Sequence, residues 1–308
     1  MAQNRAEKGP ALLATLAVIG AAAVVTLAYA ACALPSMPLL ETVEAQAETD
    51  RYAQRRLTFA DEFDTLDLRR GDTGVWTTSF GYGGIDNFTL TNNRELQLYV
   101  DPEFKGSGGQ PLGLQPFGVR DGILDIAANR TPDAMRRRMW RYRFYSGLLT
   151  TRQSFSQQYG YFEIRARLPS THGAWPAFWL LPANGSWPPE IDVMEHLGRE
   201  PNVYYAGYHA NPGGRREGGA APVEIPGPEG QFHTYGVLWD EAHVTWFLDG
   251  ARVRQIRTPE DMHTPMYLLI NLAIGGRWAR NPTMRTQFPA RMSVDYVRVY
   301  ALDPAEPR

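Results

Sequence analysis

The chain has 308 residues, 44% of them hydrophobic and 12% aromatic, which excludes a disordered polymer and allows one large or two ordinary domains. Its 31 Lys and Arg against 33 Asp and Glu leave a formal charge of −2, so it lacks the basic excess that holds nucleic acid by counterion release. The single cysteine, Cys32, excludes a disulfide framework and a zinc site of several thiolates, while 29 Gly and 23 Pro point to turn-rich β structure.

No charged residue occurs between Lys8 and Glu41, and residues 1–32 read as an export signal or an N-terminal membrane anchor. The apolar run Ala11–Ala31 is long enough to span a bilayer, for which about 20 residues suffice, and Ala28-Tyr29-Ala30 supplies a small-x-small cleavage site. Lipidation of Cys32 needs an aliphatic residue where Tyr29 stands. The expected location is therefore outside the cytoplasm, secreted, periplasmic or at the cell surface, with membrane contact only through an uncleaved leader. Residues 33–56 lack strand alternation and read as a tether; residues 57–301 form one expected domain, followed by a tail over 302–308.

Within that domain, short apolar or alternating runs recur between turn residues: Glu95–Val100, Gly122–Ala127, Ser146–Thr151, Tyr161–Leu168, Ala177–Leu181, Val203–His209, His233–Trp239, Met266–Leu272 and Ser293–Tyr300. Such spacing predicts an all-β sandwich or barrel. Tyr161–Leu168 alternates with period two, Phe162, Ile164, Ala166 and Leu168 on one face and Tyr161, Glu163, Arg165 and Arg167 on the other. Asp249-Gly250 after His243–Leu248 is a two-residue hairpin signal.

The segment Trp187-Pro188-Pro189-Glu190-Ile191-Asp192-Val193-Met194-Glu195-His196 carries the chemistry. On a strand Glu190 and Asp192 share a face, and one β-bulge near Val193 and Met194 brings Glu195 to the same side. Three carboxylates in a row repel and desolvate one another unless a proton is shared. Retaining glycoside hydrolysis uses two carboxyl groups about 5 to 5.5 Å apart, which a curved strand bearing two long Glu side chains can supply. A solvated acidic edge strand, and a metal site from Asp192, Glu195 and His196, are the other readings of the pattern.

This segment resembles the Glu-Ile-Asp-x-x-Glu signature of glycoside hydrolase family 16, in its laminarinase-like form. The resemblance extends from Phe59-Ala60-Asp61-Glu62-Phe63 through Tyr159–Arg165, Gly173–Trp179, Phe232–Trp239 and Asn271–Gly276 to Val294–Tyr300, and Trp187–Asp192 with Met266–Asn271 looks most like the bacterial subgroup acting on exopolysaccharides and mixed-linkage β-glucans. It implies a concanavalin-like β-jelly roll of two curved antiparallel sheets with a concave cleft. It further implies Glu190 as nucleophile, Asp192 as its assisting neighbour and Glu195 as general acid/base. Trp187 matches a sugar-stacking position, Trp175 a cleft position, and Trp179 reads as core. Glu163, Arg165 and Asn271 match cleft positions. His209 falls where other members place an aromatic residue, and Ala273 where some have Trp, which leaves a subsite wall for Trp278. Asp295, with the Gly122 carbonyl, resembles the ligands of a structural calcium ion; no cofactor is required for the chemistry.

The expected partner is a polysaccharide, acted on by a monomer that is an endo-acting β-glycanase. A non-catalytic carbohydrate-binding jelly roll would not need both Glu190 and Glu195, and a transglycosylase of the same family is the third reading. The run Arg136–Arg138 with Arg141 and Arg143, interleaved with Trp140 and Tyr142, reads either as a solvated loop or as a contact for an anionic polysaccharide.

Overall fold

The structure, a computed structural model, describes residues 55–302 except Pro228. The leader, Cys32 and the tether up to residue 54 lie outside the described residues, as does the tail beyond Leu302. Among the described residues no helix is long and apolar enough to cross a membrane.

Sixteen strands follow in chain order: β1 (Arg55–Asp61), β2 (Gln97–Tyr99), β3 (Phe117–Arg120), β4 (Ile123–Arg130), β5 (Phe144–Ser146), β6 (Leu148–Thr150), β7 (Gly160–Arg167) and β8 (Ala174–Pro182). The second half holds β9 (Glu190–His196), β10 (Val203–Ala210), β11 (Glu217–Glu224), β12 (His233–Trp239), β13 (His243–Leu248), β14 (Ala251–Arg257), β15 (Met266–Ile274) and β16 (Ala290–Leu302). A short helix, α1 (Gly276–Ala279), follows β15.

The strands form two sheets. One runs β14-β13-β12-β7-β16-β4-β5-β2, with β1 added to β16 and β3 to β4; the other runs β11-β10-β9-β8-β15-β6. Pairing is antiparallel except between β2 and β5. All nine runs read from the sequence contain strand. Ser146–Thr151 is divided between β5 and β6 at Gly147, where an added Cβ would lie 2.4 Å from the Phe117 ring. Arg55 and Arg56, at the end of the expected tether, already pair with Leu302 and Ala301 as part of β1. Strand β11 was missed: of its half-buried positions Glu217, Gly219, Ala221 and Val223, Val223 is the one that packs on the core, so no run of large apolar residues marks it.

The main core lies between the sheets. Phe162, Ile164 and Ala166 of β7 meet Phe178 and Leu180 of β8, Ile191 and Val193 of β9, and Leu268, Ile270 and Leu272 of β15, all fully buried. Burying each such large side chain contributes on the order of 1.5–3 kcal/mol. Strand β15 is buried along its whole length because its other face sits in a second cluster, where Tyr267, Leu269 and Ala273 pack with Trp179, Leu181 and Tyr99. That second face floors the groove described below. At Asp249-Gly250 both residues are left-handed, φ 50° and 80°, as the predicted two-residue hairpin between β13 and β14 requires.

Candidate active site

Strand β9 is central in the six-stranded sheet, and its carboxylates reach the groove through an irregular register. Against β8, Met194 faces Phe178 and Asp192 faces Trp179, so Val193 is the extra residue; against β10, Glu195 faces Tyr205 and Asp192 faces Gly207. This is the predicted bulge. It leaves Ile191 and Val193 in the core and sets Glu190, Asp192 and Glu195 together on the lining of one groove of about 550 Å³. Gly207 makes room for the middle acid: a Cβ there would lie 2.8 Å from Asp192 Oδ2.

Each acid has its own surroundings. The Trp187 indole N–H donates to Glu190 Oε2 at 2.6 Å, and the Trp175 N–H donates to Glu195 Oε1 at 3.0 Å. Asp192 is 3% exposed; His209 Nε2 stands 4.0 Å from its carboxylate, and the Trp246 N–H holds its backbone carbonyl at 2.8 Å. Burial pushes the affinity of all three for protons upward. For Glu190 the neighbouring Asp192 adds to that effect, with Glu190 and Asp192 hydrogen-bonded to each other. For Glu195, burial and then the charge of Asp192 raise the pKa well above the usual carboxylate range, and the Trp175 hydrogen bond opposes them. Asp192 itself is raised by burial and restrained by its bond to Glu190 and by His209 and Arg254. All three acids therefore hold their protons more tightly than solvent-exposed carboxylates do.

Aromatic rings form the walls. Trp187 is 53% exposed, with its ring 6.2 Å from that of His209. Trp278, on α1, meets Trp175 edge-on at 5.4 Å and Tyr205 at 4.7 Å. Trp175, Trp187, Trp278, His209, Asn271 and Ala273 all line the groove. Trp179 is buried in the second cluster, in keeping with its reading as core, and it also borders the groove; its N–H donates to Asn271 Oδ1 at 2.7 Å, and Asn271 Nδ2 donates to the Tyr99 hydroxyl at 2.9 Å. The alternation of β8 puts Trp175, Ala177, Trp179 and Leu181 on one face, and that face is the groove.

Glu163 and Arg165 are not in the groove. Their strand, β7, lies between β12 and β16 in the ten-stranded sheet, and because Phe162, Ile164 and Ala166 take the core face, the alternate residues point away from both core and groove. Arg165 forms an ion pair with Asp295 and lies 5.0 Å over the Phe232 ring. Asp295 is the extra residue of a bulge between Val294 and Tyr296. The calcium reading requires about 6–8 oxygen ligands, whereas here the Asp295 carboxylate is engaged by a guanidinium and Gly122 offers one carbonyl in the β3–β4 turn. The residues present do not fit a calcium cage as they stand. The alternative metal set also fails: His196 is buried, with Nδ1 at 2.7 Å from the Val203 carbonyl and Nε2 at 3.2 Å from that of Pro169. Among the described residues the metal-like trio is Glu190, Asp192 and His209.

Sequence reasoning missed the opposite wall, made by Tyr82, Leu90, Asn92, Asn93 and Glu95. Glu95 is buried and accepts bonds from Gln97 Nε2 at 2.7 Å, Asn93 Nδ2 at 3.1 Å and the Leu90 N–H at 3.3 Å. The available signal was a polar, Asn-rich loop entering a strand, since loops on a rigid scaffold carry binding groups. Arg254, within electrostatic reach of Asp192 from β14, carried no signal.

A two-sheet β-sandwich with paired glutamates and several tryptophans lining one groove has the layout of a carbohydrate-active jelly roll. Residues 84–298 match the family described as Glycosyl hydrolases family 16, and the chain belongs to that family. It is 46% identical over 246 residues to the endo-1,3-1,4-beta-glycanase EglC of Rhizobium meliloti, a match covering 80% of this chain and 52% of that protein. A beta-glucanase of Rhodothermus marinus is 32% identical over 82% of this chain and 87% of its own length. Among solved structures, the laminarinase catalytic domain of Thermotoga petrophila aligns with TM-score 0.66 and 31% identity, covering 82% of this chain and 99% of that one. The chain spans about half the length of the Rhizobium relatives.

Proposed function

We propose that the protein is an endo-acting, retaining β-glycanase that hydrolyses internal β-1,3 or mixed β-1,3/1,4 bonds of a glucan or bacterial exopolysaccharide. The observation that carries the reading is the bulged row of Glu190, Asp192 and Glu195 in an aromatic-walled groove. The endo-1,3-1,4-beta-glycanase and laminarinase names of its relatives support the substrate class.

In this mechanism Glu195, kept protonated by burial and by Asp192, donates its proton to the leaving glycosidic oxygen. Glu190 attacks the anomeric carbon as that C–O bond breaks. Glu190 must attack as the carboxylate, and Asp192, hydrogen-bonded to it, is placed to take up its proton; that is the work of the middle acid. Glu195, now ionised, takes a proton from water as the water oxygen displaces Glu190, so two inversions retain the β configuration. Trp187, Trp175 and Trp278 offer ring faces and edges to the sugars. The Ala-rich leader supports export, where a polymer too large to enter a cell is met.

The test is product analysis on lichenan, laminarin and acidic exopolysaccharide. Expected are a viscosity drop ahead of small-sugar release and β-anomers in the first NMR spectra. Release of mono- or disaccharide from the outset at constant viscosity contradicts the endo reading. Binding without turnover, with every carboxylate intact, returns the protein to the non-catalytic class.

A further inference from the structure

A second concavity, of about 610 Å³, is lined by Arg136, Arg137, Trp140, Arg141 and Arg143. Its arginines divide by role. Arg138 turns inward and donates to the carbonyls of Lys105 and Gln110, and Arg136 pairs with Asp133 at 3.0 Å. Arg137, Arg141 and Arg143 are exposed, and among the described residues their guanidinium groups have no ion pair or hydrogen bond. In a chain of net charge −2, three unneutralised cations around one groove are a local inversion of sign.

The aromatic at the centre is held out by its backbone. Trp140 is 43% exposed, and it and Arg141 adopt φ of 46° and 70°, a left-handed pair that side chains other than glycine rarely take and that persists only where the surroundings impose it. They are imposed by Met139, fully buried, by the Arg141 N–H bonded to the Arg136 carbonyl at 2.8 Å and by Arg138. Phe88 stacks on one indole face, centroids 6.3 Å apart at 22°, and Phe104 meets it edge-on at 6.0 Å. With both phenylalanines against it, Trp140 still keeps 43% of its surface exposed.

We propose that this groove is a second glycan-binding site, distinct from the catalytic groove, that holds the carboxylate-bearing sugars of an acidic polysaccharide. The exposed indole suits the C–H face of a pyranose, and guanidinium forks suit carboxylates. The lining of the catalytic groove includes four carboxyl groups and neither arginine nor lysine, whereas the second groove is lined by four arginines. One segment serves both places: Phe88 supports Trp140, while Leu90, Asn92 and Asn93, just beyond it, wall the catalytic groove. The proposal rests on the glycanase reading only in naming a polysaccharide as ligand.

The test measures binding rather than turnover, by titration calorimetry on the full chain carrying E190Q. The probes are a sparsely carboxymethylated β-1,3-1,4-glucan and its uncharged parent of equal length. The carboxymethyl glucan should bind about tenfold tighter than the parent, the sum of three exposed ion pairs, and that preference should collapse between about 20 and 200 mM NaCl as screening tightens. Adding R137Q, R141Q and R143Q should abolish the preference while leaving parent binding unchanged; W140A alone should weaken the carboxymethyl glucan several-fold. Equal affinity for the two glucans, a preference that survives the triple substitution, or equally tight binding of inorganic polyphosphate that W140A leaves intact would each overturn the proposal. If the triple variant fails to fold, the salt series and W140A decide. Failure of the glycanase reading is seen separately, as absence of turnover by the unaltered chain on the parent glucan.

Discussion

Strands β7 and β9 are both short, charged and central in their sheets, yet only one carries the chemistry. On the outer face of β7 and its neighbours acids meet guanidinium groups: Arg165 with Asp295, Arg298 with Glu62 at 2.8 Å and Arg291 with Asp125 at 3.6 Å, while the rise that burial gives the Glu163 pKa is opposed by Tyr161 and by the charges of Arg298 and Arg55. On β9 the acids meet indole N–H groups and one another, and Arg254 acts on Asp192 from a distance. Paired surface charges contribute little and are chemically quiet. Charges buried without counter-ions keep protons, and so can deliver them. The identity of a charged residue on a strand therefore says less about its role than the cation census of the face it occupies.

The largest effect should follow from removing the acids of β9. Glu190→Ala and Glu195→Ala should each lower kcat by about 10³-fold or more, as loss of a nucleophile or general acid does. Azide with an activated β-glycoside distinguishes them: Glu195→Ala should give the β-azide and Glu190→Ala the α-azide. An exchange of these products would exchange the two roles.

The same burial that tunes Glu195 should cost stability, and only above acid pH. Its pKa is raised in the folded state, so its contribution is fully present below the unfolded value of about 4.3 and is lost as pH rises through the folded value. Glu195→Gln should therefore match the unaltered chain in thermal melts near pH 4 and exceed it by about 2–4 °C near pH 8. An equal gain at both pH values would assign it to packing instead of charge.

A smaller change tests the Trp175 hydrogen bond, which favours ionised Glu195. Trp175→Phe should raise the Glu195 pKa further and move the basic limb of the kcat/KM profile to higher pH, read from initial rates across pH. A limb that stays still, or moves down, removes Trp175 from the tuning of the acid.

The smallest effects should come from the outer face. Glu163→Gln and Arg165→Gln should leave kcat/KM within about twofold, as expected of surface substitutions away from a site, and chelation should leave the melting temperature of the unaltered chain within about 1 °C. A rise of several degrees on adding calcium would mean that Arg165 yields Asp295 to the ion.

Much of the fold was legible because its evidence is local. Alternation in β7, the apolar run of β15 and the Asp249-Gly250 turn each follow from a few neighbouring side chains. Strand β11 was not legible, since its Gly and Ala residues owe their place to pairing with β10 rather than to their own burial. The carboxylate row could be read because parity on one strand is arithmetic, bulge included. The wall made by Asn92, Asn93 and Glu95 could not, because it is joined to β9 only across the groove.

The misplacement of Glu163 and Arg165 marks the same boundary. By itself the sequence determined which residues alternate, where one bulge must fall and which acids share a face, since the pleat and chain connectivity fix these within a strand. Only the tertiary structure decided which sheet each strand joins, and with it whether a charged face meets guanidinium groups or a groove lined with tryptophan. Those are contacts between residues far apart in sequence, and no strand's own pattern records the sheet that will receive it.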